Sequence, residues 1–80
     1  MISYEDAVKT AKEIRADINR CFEYEKGYVF SNVEDENYIG GSHAPVVIVK
    51  ETGKAISMPQ FVIDGTGEEI GDREVTTWQR

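Results

Sequence analysis

Apolar residues in the first part of the chain recur at steps of three and four, the period of one face of an α-helix. This stripe consists of Tyr4, Ala7, Val8, Ala11, Ile14, Ile18 and Cys21. Ser3 precedes the stripe and Asp6 follows three residues later, as in an N-terminal capping box. The pattern predicts a helix from Tyr4 to about Arg20. The side chains expected to pack on the rest of the fold are Val8, Ala11, Ile14 and Ile18.

After the predicted helix the apolar period changes to two, and aromatic or β-branched residues predominate, which is typical of a strand. We predict one strand centred on residues 28–31 and leave an extension back to Phe22 open. Lys26-Gly27 interrupts the alternation, as a bulge or a tight turn would. Tyr24, Tyr28 and Phe30 fall on one face of this strand, and we expect the last two to pack against the helix.

A second region predicts a β-hairpin. Val46 to Lys50 is an almost continuous apolar run, Gly53 can adopt the positive φ of a tight turn, and residues 55–58 return as the partner strand. Pro59 ends that strand or marks a sheet edge, and residues 60–63 are a further candidate for strand pairing.

Together these elements predict an α+β fold in which one N-terminal helix packs on a small antiparallel sheet of three to four strands. Residues 1–80 form a single domain with an ordered core of about residues 2–63. Residues 64–80 are either an edge strand, at Glu74 to Trp78, or a frayed tail.

Charge and cysteine content narrow the function classes. Fifteen acidic residues against nine basic ones give a net charge of −6, which opposes direct binding to nucleic acid. Cys21 is the only cysteine, so the chain has neither an internal disulfide nor a cysteine zinc cluster, and its place on the apolar stripe predicts an inert thiol. No signal-peptide pattern appears and the longest apolar run, Val46 to Val49, is too short to cross a membrane. We therefore expect a cytoplasmic protein without membrane association.

Catalytic and metal-binding patterns are absent from the sequence. His43 is the only histidine and is interpreted as a loop residue beside Pro45. The acidic triplet Glu34, Asp35 and Glu36 lacks the spacing of a calcium loop, and no phosphate-binding glycine loop is present. We predict a protein that is not an enzyme and that uses no cofactor and no metal.

The long polar segment of residues 31–44 is the predicted site of partner binding. The predicted partner-binding residues are Glu34, Asp35, Glu36 and Tyr38, with Tyr24 nearby. Tyr24, Tyr38 and Trp78 lie in polar surroundings, where aromatic residues often anchor interfaces. Three consecutive carboxylates indicate a basic partner. The alternative interpretation is a solvated loop without a partner.

Three segments carry a resemblance to a known family: Ile2 to Ala7, Gly27-Tyr28-Val29-Phe30, and residues 44–53 with their small-residue-Pro start and K-x-T-G turn. In this order they resemble the YrhB-like, or immunity protein 35, family, with Tyr28 where Trp is usual and Val49 where Asp is common. The resemblance implies a small bacterial immunity protein that neutralises a cognate toxin of a polymorphic toxin system. Two alternatives stay open: a phage-type acidic inhibitor that mimics nucleic acid, and a PepSY-like regulatory module.

Overall fold

The structure, a computed structural model, describes residues 1–34 and 44–75. In chain order its elements are α1 (Tyr4–Ile14), β1 (Arg20–Tyr24), β2 (Gly27–Ser31), β3 (Val46–Val49), β4 (Ala55–Ile56), α2 (Met58–Asp64) and β5 (Glu69–Glu74). Within those residues the strands form one five-stranded sheet in the order β4-β3-β2-β1-β5, and all pairings are antiparallel. The predicted α+β fold is confirmed, with five strands instead of three to four and a second short helix. None of the helices in the described part of the chain is long and apolar enough to cross a bilayer.

Helix α1 begins as predicted and ends earlier. The Ser3 hydroxyl accepts a hydrogen bond from the Asp6 amide at 3.2 Å, which caps the first turn. The helix ends at Ile14, because Arg15 is extended and its side chain binds the Asp17 carboxylate at 2.7 Å. The predicted end near Arg20 is wrong because that residue already belongs to β1.

The early end of α1 changes which isoleucine is buried. Ala7 and Ala11 are fully buried, whereas Ile14 at the last turn is 56% exposed. Ile18 lies beyond the helix and is 0% exposed, packed in the same cluster as Cys21 and Phe30. The prediction that Ile14 packs on the sheet is therefore wrong, and the prediction for Ile18 is right although this residue is not helical.

The aromatic segment forms two strands instead of one. β1 and β2 pair as a hairpin in which Cys21 is opposite Phe30 and Glu23 is opposite Tyr28. Since neighbouring residues of a strand point to opposite faces, Tyr24 lies on the other face of the sheet from Tyr28. The predicted common face for Tyr24, Tyr28 and Phe30 is thus wrong for Tyr24.

The predicted hairpin after residue 45 is confirmed, with β3 and β4 joined by a turn in which Gly53 has a φ of 72°. β4 is only two residues long, because Ser57 caps α2 by accepting a hydrogen bond from the Gln60 amide at 3.2 Å. Pro59 lies in the first turn of α2, where its fixed φ and missing N–H are tolerated. The prediction of a further pairing segment over residues 60–63 is wrong, since this segment is helical.

The sheet separates two apolar clusters. On one face α1 covers a cluster that includes Tyr28, Phe30 and Ile48, with Val75 at its margin. On the other face α2 contributes Phe61, which packs on Val29 and Val47. β5 is an edge strand that pairs with β1 and lies earlier in the chain than the predicted edge strand at Glu74 to Trp78. Trp78 is outside the described residues.

Candidate functional site

The two predicted partner-binding residues that the structure describes, Glu34 and Tyr24, lie in separate places. Glu34 follows β2 and is exposed, and its amide donates a hydrogen bond to the Asn32 side-chain oxygen at 2.8 Å. Tyr24 is half-buried at the last position of β1, and its ring contacts Phe61 edge-on with centroids 5.8 Å apart. Arg20 at the start of β1 pairs with Ser31 at the end of β2, and Glu34 follows that end of the hairpin. Tyr24 lies at the other end, beside the turn between the two strands. The structure does not bring them together.

Other predicted residues lie outside the described parts of the chain. They are Asp35, Glu36, Tyr38 and His43. Cys21 is described and fully buried, and burial raises the pKa of its thiol to about 12. A thiol with so high a pKa has almost no thiolate at neutral pH, which agrees with the expected inert side chain. Among residues 1–34 and 44–75 no group of three or more His, Cys, Asp and Glu could hold a metal ion.

A charged network crosses the sheet on the α1 side. The two carboxylate oxygens of Glu23 accept one hydrogen bond each, from the Lys50 ammonium at 2.7 Å and from the Arg73 guanidinium at 2.9 Å. The Lys50 ammonium also lies 5.0 Å from the Tyr28 ring centroid, and the Arg73 guanidinium lies 4.2 Å from that of Tyr4. Burial, followed by the charge of Glu23, raises the pKa of the Tyr28 hydroxyl.

This network is structural. Lys50 is 8% exposed, so its charge is stabilised by Glu23 and not by water. The network joins the central strands to β5, whose residues are all exposed. One feature of the sequence indicates this network: Glu23 lies two residues after Cys21, so in a strand its side chain points to the same face as the apolar Cys21 side chain. Its partners, 27 and 50 residues away, could not be identified without the sheet register.

A groove on the α2 side is the second feature of the surface. It has a volume of about 580 Å³ and lies where the β1–β2 turn, the end of β3 and the end of α2 meet. Four apolar side chains and three acidic side chains line it, and we call it the α2 groove. Its apolar residues are Met1, Val49, Ile56 and Phe61, and its acidic residues are Glu25, Glu51 and Asp64.

Backbone hydrogen bonds hold the acidic side of the α2 groove in place. The Glu25 amide donates to the Glu68 carbonyl at 3.0 Å, and the Lys26 amide donates to the Thr66 carbonyl at 3.1 Å. Gly67 has a φ of 73°, and a Cβ there would lie 2.6 Å from the Cβ of Glu25. The close approach therefore requires glycine, and it ties the β1–β2 turn to the segment that follows α2.

Asp64 and Phe61 are fixed by the local structure of α2. The Asp64 carboxylate accepts a hydrogen bond from the Gln60 side chain at 2.8 Å, and Gly65 ends the helix with a φ of 100°. Phe61 is 2% exposed and lies over Gly27, where a Cβ would be 3.1 Å from the phenyl ring and 2.9 Å from the Ile48 carbonyl oxygen. The absence of a side chain at Gly27 thus lets Phe61 lie directly on the sheet.

Sequence reasoning did not identify the α2 groove. Its acidic residues come from three segments that are far apart in the sequence, and no local pattern links them. The sequence favours a pairing segment over residues 60–63, so it gives no sign that Phe61 lies beside Tyr24. The one predicted site residue that reaches this region is Tyr24, through its contact with Phe61.

Comparison of the chain with protein-family models, with curated proteins and with solved structures found no match. The resemblance to the YrhB-like family therefore rests on the residues quoted for it and remains a prediction. In the described part of the chain an apolar groove and exposed carboxylates occur together.

Proposed function

We propose that this chain is a non-enzymatic protein-binding inhibitor that neutralises a basic protein, as a bacterial immunity protein neutralises its cognate toxin. The observation that carries the proposal is the distribution of charge on the folded surface. Among the described residues twelve Asp or Glu are exposed, against four Lys or Arg.

The arginines of the described residues are already paired within the chain. In residues 1–34 and 44–75 every arginine is in an ion pair with a carboxylate of the same chain. These pairs are Arg15 with Asp17, Arg20 with Asp72, and Arg73 with Glu23. Each pair also occupies one carboxylate, so the pairs leave the excess of negative charge, which comes from the composition, unchanged. A surface of this kind attracts a basic partner over several ångströms and accelerates its association.

The resemblance to immunity proteins supports the more specific part of the proposal. It implies that the basic partner is a toxin, and that binding occludes the toxin's active site without any chemistry by this chain. An acidic inhibitor that mimics nucleic acid would share the same surface charge. The two hypotheses differ in what the captured partner normally binds, and this difference can be measured.

The test begins with the immobilised chain, which is used to capture proteins at low salt and to identify those released as salt rises. The captured protein is then purified, and its own activity is titrated with the chain. Stoichiometric inhibition that DNA or RNA does not compete with supports a toxin-immunity pair. Inhibition that nucleic acid relieves supports the mimic. Failure of the chain to inhibit any basic protein that it captures would contradict the proposed function.

The predicted acidic loop is tested separately by association kinetics. Replacing Glu34, Asp35 and Glu36 with Ser should lower the association rate constant and reduce its dependence on salt, because screening limits the field of exposed charges to about 8 Å at physiological ionic strength. An unchanged rate and salt dependence would remove the loop from the interface.

The matched control carries the same change in net charge at exposed positions elsewhere. Its replaced residues are Glu5, Glu13 and Glu74, on α1 and β5. If both triple variants slow association equally, the field of the whole domain steers the partner and the loop has no special part.

A further inference from the structure

We propose that the α2 groove binds a lysine or arginine side chain of a protein partner, together with an apolar residue next to it. This inference rests on the proposed function and adds to it the place and chemistry of recognition. It uses residues that are held by backbone hydrogen bonds and helix packing, and it does not involve the acidic loop.

The apolar part of the groove fits the stem of a long basic side chain. Val49 and Ile56 are half-buried at the sheet surface, and Phe61 is almost fully buried beside them. Lysine and arginine cover apolar surface with their methylene groups while the charged end remains in a polar environment. The groove volume of about 580 Å³ lies within the range of small-ligand sites and leaves room for a neighbouring apolar residue.

The charge of the groove selects a cation. Three carboxylates line it, at Glu25, Glu51 and Asp64, together with two lysines. The Lys50 ammonium lies 2.7 Å from the Glu23 carboxylate, so its charge is already compensated within the chain. Lys26 and the Met1 α-ammonium then offset two of the three carboxylates, and the lining keeps a net charge of about −1, a simple sum that leaves out screening by solvent.

The charge also distinguishes a basic partner from a second copy of this chain. With a net charge of −6, two copies repel one another at long range, and the acidic groove would face an acidic surface. A basic protein brings attraction at long range and cationic side chains that fit the groove. We therefore take the occupant to be a basic segment of another protein.

The experiment is an NMR titration of the ¹⁵N-labelled chain with a peptide of sequence Gly-Leu-Lys-Leu-Gly, blocked at both ends. The control peptide has norleucine in place of lysine, which keeps most of the methylene stem and removes the charge. We expect saturable shifts of the amides of Glu25, Lys26 and Gly65 with the lysine peptide. The norleucine peptide should bind at least threefold more weakly at low salt.

A double variant tests the role of the carboxylates without removing their structural contacts. Glu25→Gln with Asp64→Asn keeps the acceptor oxygens that the Glu68 amide and the Gln60 side chain use, so the fold should be preserved. Exposed ion pairs contribute about 0.2–1 kcal/mol each, so the loss of two should weaken the lysine peptide about two- to thirtyfold. The matched control is Glu5→Gln with Glu13→Gln on α1, which should leave affinity for the peptide unchanged.

Any one of three results would overturn the inference. The first is the absence of saturable shifts at 10 mM lysine peptide, about the weakest affinity at which a one-residue anchor is useful. The others are equal binding of the two peptides by the unaltered chain, and undiminished binding of the lysine peptide by the variant with Glu25→Gln and Asp64→Asn. Each of these would leave the proposed function standing if a basic protein is still captured and inhibited. Conversely, peptide binding in the groove without any inhibited partner would contradict the proposed function and retain the site.

Discussion

Replacing Ile18 with Ala should destabilise this domain far more than replacing Ile14 with Ala. The two residues lie on the same apolar stripe of the sequence, four positions apart, and the stripe predicts that both pack on the sheet. In the structure Ile18 is 0% exposed, whereas Ile14 is 56% exposed at the last turn of α1. The pair is therefore a direct test of where the helix ends.

The expected magnitudes follow from these exposures. Ile18→Ala leaves a cavity in the cluster with Cys21 and Phe30, and such substitutions cost about 2–5 kcal/mol. Ile14 buries less than half of its side chain, so truncation should cost about 1 kcal/mol at most. Alanine is also a better helix former by a few tenths of a kcal/mol (~0.5), which offsets part of that loss.

The assay is urea or thermal unfolding of both variants, followed by circular dichroism. For a domain of this size 1 kcal/mol corresponds to about 4–8 °C in Tm, so Ile18→Ala should lower Tm by at least about 8 °C and Ile14→Ala by less than about 8 °C. A domain of 80 residues has a stability of about 4–12 kcal/mol, so the larger loss can unfold it. If Ile18→Ala does not fold, Ile18→Val replaces it in the comparison, with an expected loss of about 0.5–1.5 kcal/mol.

Equal losses for the two alanine variants would refute this reasoning. They would mean that α1 continues past Ile14 and that both isoleucines pack on the sheet, as the sequence pattern predicts. A larger loss for Ile14→Ala would also place the end of the helix elsewhere.

Three further predictions concern the charged network, the buried thiol and the tight turn. Glu23→Ala should lower the free energy of unfolding by about 3 kcal/mol, because it leaves the buried Lys50 ammonium without its carboxylate partner. Arg73→Ala should lower it by only about 1 kcal/mol, since the Arg73 side chain is 46% exposed. Chemical denaturation of the two variants measures both losses. From about pH 9 to pH 12 the Cys21 thiol ionises in the unfolded chain while it keeps its proton in the folded one. The free energy of unfolding should therefore fall as pH rises, by up to about 1.4 kcal/mol per pH unit. Measured across this range, Cys21→Ala should show a shallower fall, and equal slopes for the two proteins would contradict the raised pKa. Gly53→Val should cost about 1–2 kcal/mol because φ is 72° there, and Gly53→Asn should cost less because Asn tolerates that conformation; equal Tm values for the two variants would argue against the positive φ.

Features set by neighbouring residues were predictable from the sequence. The start of α1 depends on the Ser3 side chain and the Asp6 amide, three residues apart. The β3–β4 hairpin depends on one apolar run and on a glycine that can adopt positive φ. In both places the interactions that decide the structure lie within about one turn of chain, and the local pattern is sufficient.

Errors arose where tertiary contacts override a local pattern. The three-and-four spacing runs through Ile18, yet the chain leaves the helix after Ile14 so that Arg20 can enter the sheet as part of β1. The alternation around Tyr24 and Tyr28 spans two strands, and the turn between them reverses which face each residue occupies. The error at residues 60–63 has a different cause, because the signals that make them helical, the Ser57 cap and Pro59 in the first turn, are local ones.

The predicted loop site and the groove illustrate the same division at the level of function. Net acidity, on which the proposed basic partner rests, is a property of composition that folding cannot remove. The arrangement of that charge on the surface, in contrast, depends on contacts between residues that are far apart in the sequence. The Glu23 carboxylate meets cations 27 and 50 residues away, and the carboxylates of Glu25, Glu51 and Asp64 share one groove. Such contacts depend on the order and register of five strands and on the placement of α2, and long-range pairing of this kind leaves no local signature in the chain.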